Sequence, residues 1–371
     1  MAGPLTGVKI VELAAQGPTP FAGGLLADFG ADVVIVDRPP ESGRTPDVPR
    51  AFDFYNRNKR SIALDLKSGA GRAQARELVE RADVLLEGYR PGVAERLGFG
   101  PEDCLLLNPA LVYGRMTGWG QSGPMAMEAG HDINYLALTG ALHAIGPADA
   151  PPPPPMNLVA DLGGGGMFLV TGVLMALLHA RATGEGQVID CAMIDGVSQL
   201  MSMMQAFRQQ GSWSDRRQDN IVDGGAPHFA TYATADNKYV AVGAIEPQFY
   251  ANLVNAMGLD SKALPDRDNR ANWPDLRARF AAVFAARTRA EWEGIMSGRD
   301  ACFSPVLSID EAWHHPQMKA RGTFAAMGGL TWPVPAPRLS RTPGALRNGA
   351  PEPGADADAI RRDWGLEGKT E

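Results

Sequence analysis

The sequence predicts an α/β fold, with a large domain built on a doubly wound parallel sheet and a smaller α+β domain. Three observations predict it. Short runs rich in Val and Ile alternate with helix-length segments through the first half of the chain, which calls for parallel strands joined by right-handed crossovers. Composition turns polar at Trp213-Ser214-Asp215-Arg216-Arg217, just after Gly211, and marks an exit from that domain. Beyond it, Phe229 to Thr234 and Lys238 to Gly243 flank Ala235-Asp236-Asn237 and read as a hairpin, a feature of a separate antiparallel unit. The expected division is a large domain over residues 1–210 and 333–371, a linker over 211–225 and a small domain over 226–332.

The elements follow in order. Val8 to Leu13 is a strand, Phe21 to Phe29 a helix closed by Gly30, and Asp32 to Asp37 a second strand stopped by Arg38-Pro39-Pro40. Ser61 to Leu66 is the third strand, Gly71 to Arg81 a helix, and Asp83 to Glu87 the fourth strand, which ends in the turn Gly88-Tyr89-Arg90-Pro91-Gly92. Leu111 to Met116 makes the fifth and runs into Thr117-Gly118-Trp119-Gly120. The proline-dense connector from Pro147 to Pro155 excludes both helix and central strand. After Asp161 come four glycines and an uncharged run from Met167 to Leu178, which predicts a long buried helix reaching about Ala182, with Asp161 as its N-cap and the glycines as its first turn. Gln187 to Cys191 returns as the last strand. Ile194 to Gln209 is a helix whose Met201, Met203 and Met204 suit a core seam or an adaptable apolar tunnel equally. In the small domain Gln248 to Met257, Trp273 to Ala286 and Arg289 to Ser297 are helical and Phe303 to Ser308 extended. Asp356 to Trp364 supplies a closing helix.

Composition sets the limits. The 371 residues are 45% hydrophobic and 21% charged, an ordinary globular balance. A net charge of -7 without a basic tract argues against a nucleic-acid partner. Met1-Ala2-Gly3-Pro4-Leu5 lacks the charged-then-apolar order of a signal peptide, so cytoplasmic residence is expected. Leu162 to Ala180 reads as too short an apolar run to cross a bilayer, because glycines lead it and His179 interrupts its end. Cys104, Cys191 and Cys302 are isolated, which excludes a disulfide framework or a paired metal ligand and makes them core fillers. The absence of GxGxxG after the first strand argues against a nicotinamide or flavin site.

Ligands of open α/β sheets bind beyond the carboxyl ends of the strands, and Arg38 is at such an end. Gly163 to Gly166 cost roughly 1 kcal/mol each against alanine in a helix, so something other than helix stability favours them. Uncovered backbone N–H groups at the positive end of a helix dipole make an anion site. His131 sits in a polar, glycine-flanked turn and adds a side chain of the type that titrates near neutrality. An imidazole and a carboxylate facing one pocket suit proton removal from one face of a carbon and return to the other. His143, His179, His228, His314 and His315 lack such a setting and read as structural.

Gly130-His131-Asp132-Ile133-Asn134-Tyr135, Asn157 to Gly165, Asp223-Gly224-Gly225-Ala226-Pro227 and Ala244 to Tyr250 together resemble the family III CoA transferases, and within that superfamily the α-methylacyl-CoA racemase branch. The resemblance runs from Met1 to about Trp364. It implies a Rossmann-like large domain, an interlocked homodimer and an acyl-CoA substrate, with no metal or redox cofactor. It also implies that Arg38, Leu64-Asp65-Leu66-Lys67, Gly88-Tyr89-Arg90, Arg96, Gly130 and Asp132 to Tyr135 meet the substrate. Guanidinium and ammonium groups among them suit the phosphates of coenzyme A. The implied chemistry is a 1,1-proton transfer at the carbon α to the thioester of a 2-methylacyl or 2-arylpropionyl group. His131, oriented by Glu246 of the other protomer, would act on one face and Asp161 on the opposite face, while N–H groups of the His131-Asp132 turn meet the enolate oxygen. The alternative is a CoA transferase in which Asp161 is a nucleophile and forms an anhydride.

Overall fold

β1 (Lys9–Leu13), β2 (Asp32–Asp37), β3 (Arg60–Ala63), β4 (Val84–Glu87), β5 (Val112–Thr117) and β6 (Gln187–Ala192) pair in parallel in the order β3-β2-β1-β4-β5-β6. The computed structural model describes residues 3–39 and 48–366. The strands covered on both faces are mostly Val, Ile and Leu, as β1 and β4 show, and β6 at the edge is the most exposed. The strand order reverses between β1 and β4, which opens a crevice at their carboxyl ends.

Under one face, Val11, Val34, Leu85, Phe99, Tyr113 and Trp364 share a core. Trp364 arrives on the closing helix Ala357–Trp364 and donates from its indole to Asp32 at 2.8 Å, while Arg60 bridges Asp32 and Asp363. On the other face lies the helical run Leu158–Thr183, with Leu169, Val173, Ala176 and Leu177 buried. The glycines do not shorten it as the sequence suggested. It is continuous over 26 residues and holds an 18-residue stretch with a mean hydropathy of 1.7, long and apolar enough to cross a membrane by length and composition. In this fold it lies against β5 and β6.

The chain forms two compact units, one of residues 1–139, 155–200 and 322–371 and the other of 140–154 and 201–321. The proline-dense connector thus belongs largely with the second unit, and the return to the first occurs at Gly322 rather than at 333. The reason is a hairpin the sequence reading missed, β10 (Phe324–Met327) with β11 (Leu330–Pro333), whose Trp332 stacks on Phe54 at 3.7 Å between ring centroids.

In the second unit, β7 (Phe229–Ala233), β8 (Tyr239–Gly243) and β9 (Phe303–Val306) form an antiparallel sheet in that order. Helices Pro247–Ala256, Trp273–Phe284 and Arg289–Met296 bring Leu253, Phe280, Phe284 and Trp292 against Tyr232 and Val240. The expected single helix from Ile194 to Gln209 breaks at Met201 into Met193–Leu200 and Ser202–Gln210. The second piece buries none of its residues, so its methionines are not a core seam of the protomer. Cys104 and Cys191 are buried, and burial pushes both thiols up to about 12, whereas Cys302 is exposed and is no core filler.

Candidate active site

Asp161 is not the N-cap of the long helix. Leu158–Met167 is a π-helical segment that leads into the α-helix Phe168–Thr183, and Asp161 lies in its first turn. The N-cap is Asn157, whose carbonyl accepts the Leu162 N–H five residues on at 3.3 Å. The glycines have a different task from the exposed anion cradle expected of them. A Cβ on Gly164 would come within 2.8 Å of the Val197 nitrogen, and one on Gly166 within 2.5 Å of the Phe21 ring. They let helices Met193–Leu200 and Pro18–Asp28 approach the π-helical segment from two sides, and Gly196 answers Gly164 from across the contact. Close approach of those helices leaves Asp161 half-buried beside Gly17, where a Cβ would come within 3.7 Å of its Oδ2.

The turn at Gly130 and the helix Asp132–Thr139 face this carboxyl group. Asn134 Oδ1 accepts the His131 N–H at 3.0 Å, which commits that donor. The next N–H, that of Asp132, donates to no protein acceptor among the described residues. Of the two N–H groups expected at the turn, only one is therefore available. Asp132 is 6% exposed, and its Oδ2 accepts both the Ala160 and the Asp161 N–H at 2.8 Å. Tyr135 is buried edge-on to Trp119 and donates to the Gly130 carbonyl. A side chain at Gly130 would strike both rings, so only glycine fits there. The His131 and Ile133 side chains are exposed. Burial, and after it the Asp132 carboxylate, push the Asp161 carboxyl above the ordinary aspartate range, opposed by the neighbouring Asn157 amide and the charge of His131.

A cavity of about 580 Å³ opens at the carboxyl ends of β1, β2 and β4. Gly17, the neighbour of Asp161, lines it together with Gln16, Arg38, Tyr55, Gly88 and Tyr89. Arg38 is close enough to act on the Tyr89 phenol, which burial pushes up. The Gly88-Tyr89 turn is set from below, where buried Glu87 accepts the Tyr89 N–H at 2.7 Å and the Arg115 guanidinium at 2.8 Å. Leu64 is buried in the core, Asp65 caps its own turn by accepting the Lys67 N–H, and Lys67 and Arg96 are exposed. Of the substrate-binding positions implied by resemblance, the cavity wall thus gathers Arg38, Gly88 and Tyr89, whereas Leu64 to Lys67, Arg90 and Arg96 lie off it.

The cavity floor was not foreseen. Arg50 clasps both Asp37 oxygens at 2.8 Å and reaches Asp53, Asn56 joins Asp53, and Lys59 links Asn56 at 2.8 Å to Glu12 at 2.7 Å. Lys59 and Glu12 are fully enclosed, and a Cβ on Gly23 would come within 1.9 Å of Glu12 Oε2. Burial pushes Glu12 up and Lys59 down, each opposed by its partner. The available signal was the density of charge among aromatics from Arg50 to Arg60, which reads by default as a solvated loop.

Glu246 belongs to the second unit, exposed at the N-cap of helix Pro247–Ala256. His228, read as structural, is buried, and burial followed by the Arg267 charge pushes it down to about 4.

CoA-transferase family III matches residues 5–357. Alpha-methylacyl-CoA racemase of Mus musculus is 47% identical over 366 residues, 98% of this chain and 93% of its own length. The Homo sapiens protein of the same name is 47% identical over 340 residues, covering 91% and 87%. A crystal structure of a CAIB/BAIF family protein from Brucella suis superposes with a TM-score of 0.85 at 27% identity, over 98% of this chain and 100% of that one.

Proposed function

The chain belongs to CoA-transferase family III, and we propose that within it His131 and Asp161 interconvert the R and S forms of 2-methylacyl-CoA thioesters. The near-full-length likeness to two racemases carries the assignment of the activity. What supports the residue roles is the placement of Asp161 between the Asp132 turn and Gly17, which itself lines the cavity beyond β1 and β4. That cavity suits the nucleotide portion of coenzyme A, with Arg38 toward its phosphates. The thioester then lies at the Asp132 N–H, which stabilises the enolate oxygen. One base takes the α-proton as the C–H electron pair moves into the enolate. The other gives its proton to the opposite face, the pair collapses back into a C–H bond, and the carbonyl re-forms. No electron leaves the substrate, so the step itself requires no redox cofactor. The 2-arylpropionyl-CoA thioesters share this acidic carbon and fit the same scheme. A nucleophilic Asp161, as in acyl transfer, is the alternative.

Incubation of one pure 2-methylacyl-CoA isomer in deuterated water should give α-deuteration in step with loss of stereochemical purity, with no dependence on an acyl acceptor. Unchanged α-hydrogen would remove proton transfer from the account. A stoichiometric hydroxylamine adduct at Asp161 would favour the transferase.

Assembly is the second part of the proposal. Met175 and Leu178, at 65% and 72% exposure, lead an uncovered apolar strip on the helix Phe168–Thr183, and Ser202–Gln210 has no buried residue. Such surfaces call for a partner, and we assign that role to a second copy whose Glu246 orients His131, in a cytoplasmic homodimer. Co-expression of Asp161→Ala with Glu246→Ala should then restore part of the activity, since some mixed dimers carry one intact site. Mixed dimers that form but stay inactive would confine Glu246 to its own chain or to no role.

A further inference from the structure

Asp132 carries more than its backbone N–H. One oxygen bridges two consecutive N–H groups, those of Ala160 and Asp161, while Oδ1 is buried with no donor near it. A carboxylate needs several donors to be at ease in the interior, and this one has spent both of its contacts on the same pair of amides. The arrangement is costly as a simple tether, because a neutral amide oxygen would accept the same two bonds without burying a charge. The charge therefore calls for a reason, and the nearest titratable carboxyl is that of Asp161.

We propose that Asp132 is a positioning residue for the proton transfer, fixing Asp161 opposite the His131 turn through its backbone and biasing, by its unneutralised oxygen, where the single proton shared by the two bases rests. This rests on the racemase reading and deepens it. In such a reaction one enantiomer meets a protonated His131 with an ionised Asp161, and the other meets the reverse. Both forms hold the same number of protons, so only the relative proton affinity of the two groups sets their ratio. An ordinary aspartate beside an ordinary histidine leaves the form with the proton on the aspartate scarce by a factor on the order of a few hundred. A carboxylate held against Asp161 narrows that gap, which agrees with the direction in which Asp161 is shifted.

The other groups around Asp161 do not supply this effect. His131 opposes it, and Tyr135 shares its field with Arg90. From the helix Met193–Leu200, Asp195 acts on Cys191. From β5, Arg115 is held by Glu87 and Glu95, and from β6, Asp190 accepts the Gln121 N–H. Asp28 on the helix Pro18–Asp28 is paired with Arg57.

Asp132→Asn separates geometry from charge, since its carbonyl can accept both amides while the charge is gone. The expected result is an unchanged KM, a lowered kcat and an acid limb of kcat/KM that moves to lower pH. The Asp161 carboxyl signal, followed by carbon NMR in aspartate-labelled protein and assigned by its loss in Asp161→Asn, should move the same way. Asp132→Ala, which also cuts the tether, should lose more, on the order of 10²-fold in kcat. An acid limb and an Asp161 titration unmoved by Asp132→Asn would overturn the proposal. The wild-type protein gives an independent reading if that variant does not fold. In it the Asp161 signal must report a neighbouring ionisation as a second inflection, and a single-step Asp161 titration would overturn the coupling. Absence of α-deuteration by wild-type protein would instead sink the racemase reading, while the NMR titrations still decide whether Asp132 acts on Asp161.

Discussion

His131→Ala and Asp161→Ala should each lose about 10²- to 10⁴-fold in racemisation, the usual worth of a positioned acid or base, while coenzyme A binding is kept. The two losses will not add, because either deletion stops the same transfer. Asp161→Asn is the sharper variant, since it keeps the shape of the side chain beside Gly17 and Asn157 but takes no proton. Turnover from the loss of stereochemical purity, together with calorimetric titration of coenzyme A, separates chemistry from binding. Near-normal turnover by any of the three variants would remove that residue from the proton path.

Lys59→Met should be the most damaging single change to stability away from the proton-transfer residues, at about 3–5 kcal/mol, because it leaves the Glu12 carboxylate enclosed without its cation. Glu12→Leu combined with Lys59→Met should recover much of the loss, since no charge then remains to be paired. Urea midpoints measure both. If the double variant is no more stable than Lys59→Met, desolvated charge is not the cause, and the lost contacts to Pro20 and Asn56 are. A weakened floor should also raise KM, because Glu12, Asp37, Arg50, Asp53 and Asn56 all face the cavity.

The inner strands of the central sheet were legible because β1, β2 and β4 are buried on both faces and are dominated by Val, Ile and Leu. β1, β2 and β4 lie within a residue or so of where their runs suggested. Strand order was not legible, since periodicity marks an element and not its neighbours. The hairpin around Gly328-Gly329 escaped because β10 has only four residues and no alternation to betray it. His131 and Asp161 could be picked out together only through the motifs around them. Asp132, whose side chain ties the His131 turn to the backbone of Ala160 and Asp161, was not legible in this role, because no local pattern announces its burial. Arg50 and Lys59 were invisible for the opposite reason, since their residue types point to solvent and only the closed network shows otherwise.

The π-helical segment makes residue count, as well as residue identity, part of the site. A π-helix carries one more residue per bonded turn than an α-helix and amounts to an insertion into it. Asp161 faces the Asp132 turn from the wide portion, ahead of the α-helix that β5 and β6 anchor. Loss of one glycine between Gly163 and Gly166 would let the wide turn close into ordinary α-geometry, rotating everything upstream by about a quarter turn relative to the anchored portion. The carboxyl group would then swing away from the Asp132 turn although every side chain in the site remained. For the proposed pair of bases, spacing is kept by a length of chain, and a change that deletes no functional group can still misalign them.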